Sequence, residues 1–543
     1  MSVQSEAAPE VAAGTTQVQR LRPGAVGLLG VLFMVLANAA PITAMTGNVP
    51  IVVGYGNGTH GPASFVVATI VLTIFSVGYV AMAKHITATG AFYGFISHGL
   101  GQAVGMASGF LATMAYVVFE ASLVGIFASF AKTTMETVFH TGSISWIWYA
   151  LIAVAAAAAL GYFNVSISGK VLAVFLTIEI LLLLMMSFGV LFTGGGPNGL
   201  MPGSINPVGA FQAGPSSKDV TMVAGLGLFF AFWSWVGFET TAVYGEESKN
   251  PKKIVPRATL IAVIGLGVLY TFVAWMAVAY AGKTGAVDVS QKDAFSLFYA
   301  PTKDMLGSFF LDLYKVMTCT GSFACALAFH NAASRYLYAI GREGLSDGLS
   351  KTLGASHKKH GSPHVASVIQ TVVTLAIVLL FFWLQKPTDA APDVAYTQLY
   401  GLMAILGTMA ILIVQSISSI AVVGYFHVRR MHPETARWYR TLLPPIVGAA
   451  GMVYVVYLLF DNLKFAAGAA SDSPVFKATP WIVVGVFVLG LAVAIGIRLA
   501  NPAKYATIGR IVMEESHERS LEEPAIAPAG AIPAQATGEA APA

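Results

Sequence analysis

Apolar runs of about twenty residues, separated by short polar stretches, recur along almost the whole chain. They fall at about 25–53, 63–83, 102–131, 143–161, 170–193, 221–244, 257–281, 305–340, 365–385, 397–426, 441–460 and 478–498. A helix rises about 1.5 Å per residue, so roughly 20 residues cross a hydrocarbon core about 30 Å thick. The pattern predicts an all-α polytopic membrane protein with twelve transmembrane helices. Two segments depart from it. Residues 1–24 are polar, and residues 499–543 are rich in Ala, Pro and Glu. Neither has the apolar content to build a core, so both ends are expected to be disordered. The leader lacks the basic n-region and short apolar h-region of a signal peptide, and none is expected before the first span.

Composition excludes a water-soluble fold. Of the 543 residues, 56% are hydrophobic and 10% charged, against roughly 25% charged in an average soluble domain. The distribution of Lys and Arg then orients the chain. With the N-terminus in the cytoplasm, 21 of the 30 basic residues fall on that side, including every arginine. Eight lysines fall opposite, and Lys315 lies within a span. The positive-inside rule therefore places both termini in the cytoplasm, with the chain in the cell membrane. Cys319 and Cys325, six apart in one apolar span, suggest neither a disulfide framework nor a metal site.

Two spans are interrupted by residues that helices tolerate poorly. The first contains "ANAAPITAMTGNVP", with Pro41, Gly47 and Pro50, and the sixth contains Gly237 followed by Glu239. Proline removes a backbone donor and clashes with the preceding turn, and glycine weakens a helix by about 1 kcal/mol relative to alanine. Backbone groups freed in this way must face protein or a polar cavity rather than lipid. Interrupted helices at corresponding positions of two halves point to a transporter's substrate site. The offset of five spans is odd, so two such halves would enter the membrane from opposite sides. This predicts a five-plus-five inverted repeat over residues 25–193 and 221–426, followed by two further helices in 441–498. The bland alternative is a pair of packing kinks.

The run "GFETTAVYGEESKNPKKIVPRA", Gly237 to Ala258, resembles the sixth helix and following loop of amino acid permeases of the amino acid–polyamine–organocation (APC) superfamily. "TGAFYGFISHGLG", Thr89 to Gly101, is similar to the family's loop between the second and third helices. The resemblance covers roughly residues 25–500 in layout and implies transport of an amino acid or related amine. It implies an unwound first helix at Pro41, Ile42, Thr43, Ala44 and Met45, and an unwound sixth at Phe232, Trp233, Trp235, Val236 and Gly237. "APITAMTG" replaces the Gly-Ser-Gly type of break found in other members.

An amino acid carries a carboxylate and an ammonium, and each needs partners in a low-dielectric interior. Exposed N–H groups at the start of a half-helix suit the carboxylate, and exposed carbonyls suit the ammonium. Backbone around Thr43 to Met45 is expected to hold the first. Carbonyls near Pro41, Phe232 and Trp235 are expected to hold the second. Trp233 and Trp235 are candidates to cap the ligand, and Trp233 is favoured because the resembling arginine/agmatine exchangers cover their ligand with an aromatic residue there. Lipid-facing belt tryptophan is the alternative.

Glu120, Glu179 and Glu239 lie within spans, where a charge costs at least about 2.5 kcal/mol, which marks them as coupling or gating candidates. Structural carboxyls are the alternative. Several proton-coupled members of the family place a lysine near the position of Glu179, so Glu179 is a candidate proton carrier here, and the coupling ion is a proton or sodium. Glu120 is a candidate partner for a second amine, which would suit a polyamine or other organic cation. His330, with Asn331 and Arg335, reads as a snorkelling interfacial cluster, and the pair Glu246 and Glu247 as a cytoplasmic gate or loop brace. No phosphate-binding loop marks an ATP-driven pump, and His330 lacks the company a metal-dependent enzyme would require. No ring of like charges marks a channel. A membrane-embedded sensor is a weaker alternative. Neither a cofactor nor a nucleic-acid partner is expected; the partners are the bilayer, the small substrate and the coupling ion.

Overall fold

The computed structural model describes residues 26–86, 90–163, 169–216, 220–243, 248–342, 347–357, 360–387, 393–463 and 473–509. Residues 1–25, 510–543 and the pair Glu246 and Glu247 lie outside them. In chain order the helices are α1 (Leu28–Ala39), α2 (Pro41–Ile51), α3 (Gly61–Ala83), α4 (Ala91–Leu100), α5 (Gln102–Thr137), α6 (Trp146–Tyr162), α7 (Gly169–Phe192) and α8 (Ala224–Trp233). They continue with α9 (Pro251–Lys292), α10 (Ser296–Leu306), α11 (Ser308–Arg342), α12 (Asp347–Thr352), α13 (His364–Leu384), α14 (Gly401–Val423), α15 (Leu443–Asp461), α16 (Pro474–Ala500) and α17 (Pro502–Thr507).

Helix occupies each of the twelve apolar segments, and eight stretches among the described residues are long and apolar enough to cross a hydrocarbon core. The remainder fall short for local reasons. α6 has 17 residues, and α8 stops at its break. α11 carries many Thr, Ser and Cys positions on its buried side.

Three features differ from the sequence reading. The segment read as a loop before the third span forms α4, because Phe92 and Phe95 pack against Tyr79 with ring centroids 5.7 and 5.2 Å away. Gly101, at φ +108°, separates α4 from α5. A short helix, α10, precedes the eighth span. The beginning of the tail is ordered as far as Gly509, since Ile508 is buried in an apolar cluster with Tyr93, Met106 and Ala494.

α5 is the central strut. It packs against α4, α11, α14 and α16, and most of its surface is buried, including Glu120 at 0% exposure. The Glu120 carboxylate receives Gln370 Nε2 from α13 at 2.5 Å, and His330 Nδ1 from α11 lies 3.1 Å from both of its oxygens. His330 Nε2 lies 2.8 Å from Ser367 Oγ on α13. Gly161 of α6 covers the ring, and a Cβ there would come within 2.6 Å of Nε2. His330 is therefore not an interfacial, snorkelling residue. It is fully buried and joins α5, α6, α11 and α13 around one carboxylate.

Removing one member of a buried hydrogen-bonded pair leaves polar atoms of the other without that partner, at a cost of about 1–3 kcal/mol. His330→Ala is expected to lower stability by about that amount, and the Glu120→Gln/His330→Ala double variant by less than the sum of the single changes. Chemical unfolding of the purified protein in detergent checks this. Additive effects would remove the pair as a brace.

Candidate functional site

The first break is narrower than the sequence reading had it and lies upstream. Ala40 alone leaves the helical region, at φ 38° and ψ 72°. Pro41 is the first residue of α2, where its fixed φ suits a helix start and its missing N–H has no intrahelical role. Ile42, Thr43, Ala44 and Met45 are thus helical and buried, not unwound. As second and third residues of α2, Ile42 and Thr43 have N–H groups with no intrahelical acceptor. Among the described residues, the buried Thr43 hydroxyl has no hydrogen-bond partner. On the other side of the break, the Ala37 carbonyl has no intrahelical donor, because residue 41 is proline. The carbonyls of Asn38 and Ala39 are taken by the Cys325 thiol at 2.9 Å and the Tyr270 hydroxyl at 3.1 Å.

The second break spans Ser234 to Gly237. Phe232 and Trp233 still belong to the last turn of α8, because apolar packing holds that turn closed. Beyond it the backbone tightens. The N–H groups of Trp235, Val236 and Phe238 donate to the carbonyls of Phe232, Trp233 and Trp235 at 3.1, 3.0 and 3.1 Å. Two of the carbonyls expected to face an amine, Phe232 and Trp235, therefore already accept backbone N–H groups, and the Pro41 carbonyl lies within α2. Gly237 follows at φ +112°, a conformation open chiefly to glycine.

The breaks touch. A Cβ on Gly237 would stand 3.0 Å from the Asn38 Cβ. Asn38 Nδ2 donates to Thr240 Oγ1 at 2.6 Å, and the Thr240 hydroxyl donates to the Gly237 carbonyl at 2.6 Å. Glu239 turns back on the same turn. Its Oε2 accepts the Gly237 N–H at 3.1 Å, its Oε1 accepts the Tyr116 hydroxyl of α5 at 2.9 Å, and its own carbonyl accepts Tyr79 at 2.8 Å.

α2 is covered by aromatic and polar side chains. Tyr314 pairs with Thr46 at 2.7 Å, Asn48 donates to Ser234 at 2.9 Å, and Tyr396 donates to the Gly47 carbonyl at 2.7 Å. Tyr400 donates to Asn48, and its ring lies 4.6 Å from that of Trp233. Trp235 points elsewhere. It donates to the Val263 carbonyl at 3.3 Å and packs edge-on against Tyr270. Val236 is buried.

A cavity of about 170 Å³ opens beside the first break, lined by Ala37, Ala40, Leu176, Glu179, Thr320 and Gly321 among others. This is small beside the roughly 300–1,000 Å³ of organic-ligand pockets, and apart from Glu179 and Thr320 its lining is apolar. Glu179 is 3% exposed and has no hydrogen-bond or ion-pair partner among the described residues. Gly321 makes room for it, since a Cβ there would stand 2.8 Å from Oε1. Ala37, whose carbonyl the proline frees, and Glu179 line the same pocket.

The structure thus brings Pro41, Ile42, Thr43, Gly237 and Glu239 to one place, with Glu179 in the adjoining cavity. Glu120 belongs to the brace described above. Asn38, Tyr116, Asn48, Ser234 and Tyr400 were missed by the sequence reading. Tyr116 had a signal, standing one helical turn before Glu120 and so on the same face.

The sequence profile of the amino acid permease family matches residues 26–493. The chain is 29% identical over 164 residues to the branched-chain amino acid permease BcaP of Lactococcus lactis subsp. cremoris, covering 29% of this chain and 31% of that one. It is 22% identical over 362 residues to the low-affinity putrescine importer PlaP of Escherichia coli, covering 65% and 74%. It is 20% identical over 464 residues to BcaP of Bacillus subtilis, covering 81% and 87%. The first match spans about a third of that relative's length, and the last spans most of both chains. Two helices broken against each other, inside a chain that follows the family profile almost from end to end, make this protein a member of the amino acid permease family.

Proposed function

We propose that the chain is a secondary transporter that moves an amino acid across the cell membrane by alternating access, coupled to protons or by exchange. In this reading it crosses the membrane twelve times with both termini cytoplasmic, and the two breaks are equivalent points of a five-plus-five inverted repeat. The observation that carries the coupling is Glu179, an unpaired carboxyl in a cavity at the first break. Proton uptake there would remove a buried charge, and proton loss would leave one beside the Ala37 carbonyl, where a cation is favoured. The N–H groups of Ile42 and Thr43, with the unpaired Thr43 hydroxyl, supply the anion end of the substrate site. Trp233, with Tyr400, caps it. Glu239 holds the break closed to α5 and acts as its gate.

Putrescine, carried by one relative, makes a diamine the second reading. An amino acid is favoured because Glu120 and Glu239 are both committed to protein partners. Neither is free for a second ammonium in this conformation, and Thr43 with its neighbouring N–H groups suits a carboxylate that a diamine lacks.

Proteoliposomes under an imposed proton gradient are expected to accumulate labelled branched-chain amino acids in preference to putrescine. If neither a proton nor a sodium gradient drives uptake of any amino acid or amine, and preloaded vesicles show no exchange, the transporter reading fails. Glu179→Gln is expected to cut gradient-driven accumulation by about tenfold or more, as loss of a buried, unpaired carboxyl within a span implies. Substrate-dependent thermal stabilisation should survive in that variant. Accumulation that stays wild-type in size and pH dependence would take the coupling role from Glu179. Gly237→Ala is expected to cost about 1–3 kcal/mol through its positive φ and to abolish uptake. A variant as stable and active as wild type would show that the break needs no glycine.

A further inference from the structure

The end of the molecule that carries the Arg-rich loops holds a pair of stacked imidazoles away from the helix breaks. His85 stands two residues beyond α3, and His432 lies in the connection between α14 and α15. Their rings are 4.0 Å apart and 24° from parallel. His85 Nε2 lies 3.1 Å from Thr435 Oγ1, and His432 Nδ1 lies 2.9 Å from Glu434 Oε1. Phe426 and Tyr425, just after α14, flank His85 with centroids 5.6 and 6.5 Å away. The charged groups acting on His85 are His432, Glu434, Lys252 at the start of α9, and the adjacent Lys84.

Burial first, and His432 second, push the His85 imidazole below its ordinary range. Lys252 and Lys84 act in the same direction, and Glu434 opposes them. Glu434 is hydrogen-bonded to His432. Protons on both rings would set two cations face to face beside two lysines.

We propose that the His85–His432 stack is a proton-sensing latch that ties the end of α3 to the connection after α14 and opens when both rings are charged. The sign follows from the lowered proton affinity of His85 in the folded state. The contact is fully present above the ordinary imidazole value of about 6.5 and is lost as pH falls through the lowered one. Release would slacken one end of α14, whose other end adjoins Tyr396 and Tyr400 over α2. An acidified cytoplasm would in this way reach the cover of the substrate site. The placement of the latch in the cytoplasm rests on the transporter reading, whereas the latch itself does not.

Hydrogen–deuterium exchange of the segment 424–442, in purified full-length protein and corrected for intrinsic rates, tests it. Between about pH 7.5 and about pH 5.5, which bracket the imidazole range, exchange in the wild type is expected to rise roughly fivefold, as one like-charge pair at 4 Å in watery surroundings implies. His85→Gln and His432→Gln should each abolish that rise. No rise in the wild type, or the same rise in both variants, would overturn the latch. A rise that the variants abolish, in protein that shows no uptake in vesicles, would uphold the latch and defeat the transporter reading. Uptake in vesicles with no rise in exchange would do the reverse.

Discussion

Everything at the centre of this protein depends on one requirement: a helix broken far from water must find new partners for the backbone groups it releases. The two breaks meet it largely by serving each other. Gly237 lets the second break approach Asn38 of the first, and Asn38 reaches across to Thr240, which in turn holds the Gly237 carbonyl. Glu239 then satisfies the N–H of the same glycine. Side chains from α9 and α11 complete the pairing through Tyr270 and Cys325. What is left unpaired there includes the Asn38 Oδ1 and the Thr43 hydroxyl, among the described residues.

α5 links this centre to the outer helices. Tyr116 and Glu120 stand one turn apart on it. The first holds the Glu239 carboxylate, and the second gathers α11 and α13 through His330 and Gln370. Phe329, the neighbour of His330, packs against both Tyr116 and Phe119. A displacement of α5 would therefore disturb both carboxylates together. Rigid side-chain networks of this kind favour movement of groups of helices as units over gradual deformation.

Much of the architecture was legible because hydrophobic run length is a strong signal in a membrane protein, and so were the two interruptions, because proline and glycine punctuate helices for steric reasons. The sites of the breaks were less legible. Proline at a helix start displaces the break to the residue before it, so the disruption that "APITAMTG" announces falls at Ala40. Resemblance alone favoured Trp233 over Trp235, and only packing shows that Trp235 turns to Tyr270. Polar partners far apart in sequence were invisible. Nothing in "CALAFHNAASRY" reveals that His330 faces a glutamate 210 residues away, and a histidine near charged neighbours reads as interfacial until its burial is known. α4 was hidden because its apolar run is too short to span a membrane.

Pro41 has a consequence for how such a protein can change its cargo. By lacking an N–H it frees the Ala37 carbonyl, and by opening α2 it frees the amides of Ile42 and Thr43, so polarity at the breaks is written in the main chain. Side chains there, including Trp233, Tyr400 and Val236, are left to set shape. In the proposed site, recognition of charge and recognition of size would thus be carried by separate parts of the molecule. Substitutions that enlarge or narrow the pocket can accumulate without dismantling the electrostatics, which gives one scaffold a route to many ligands of similar polarity.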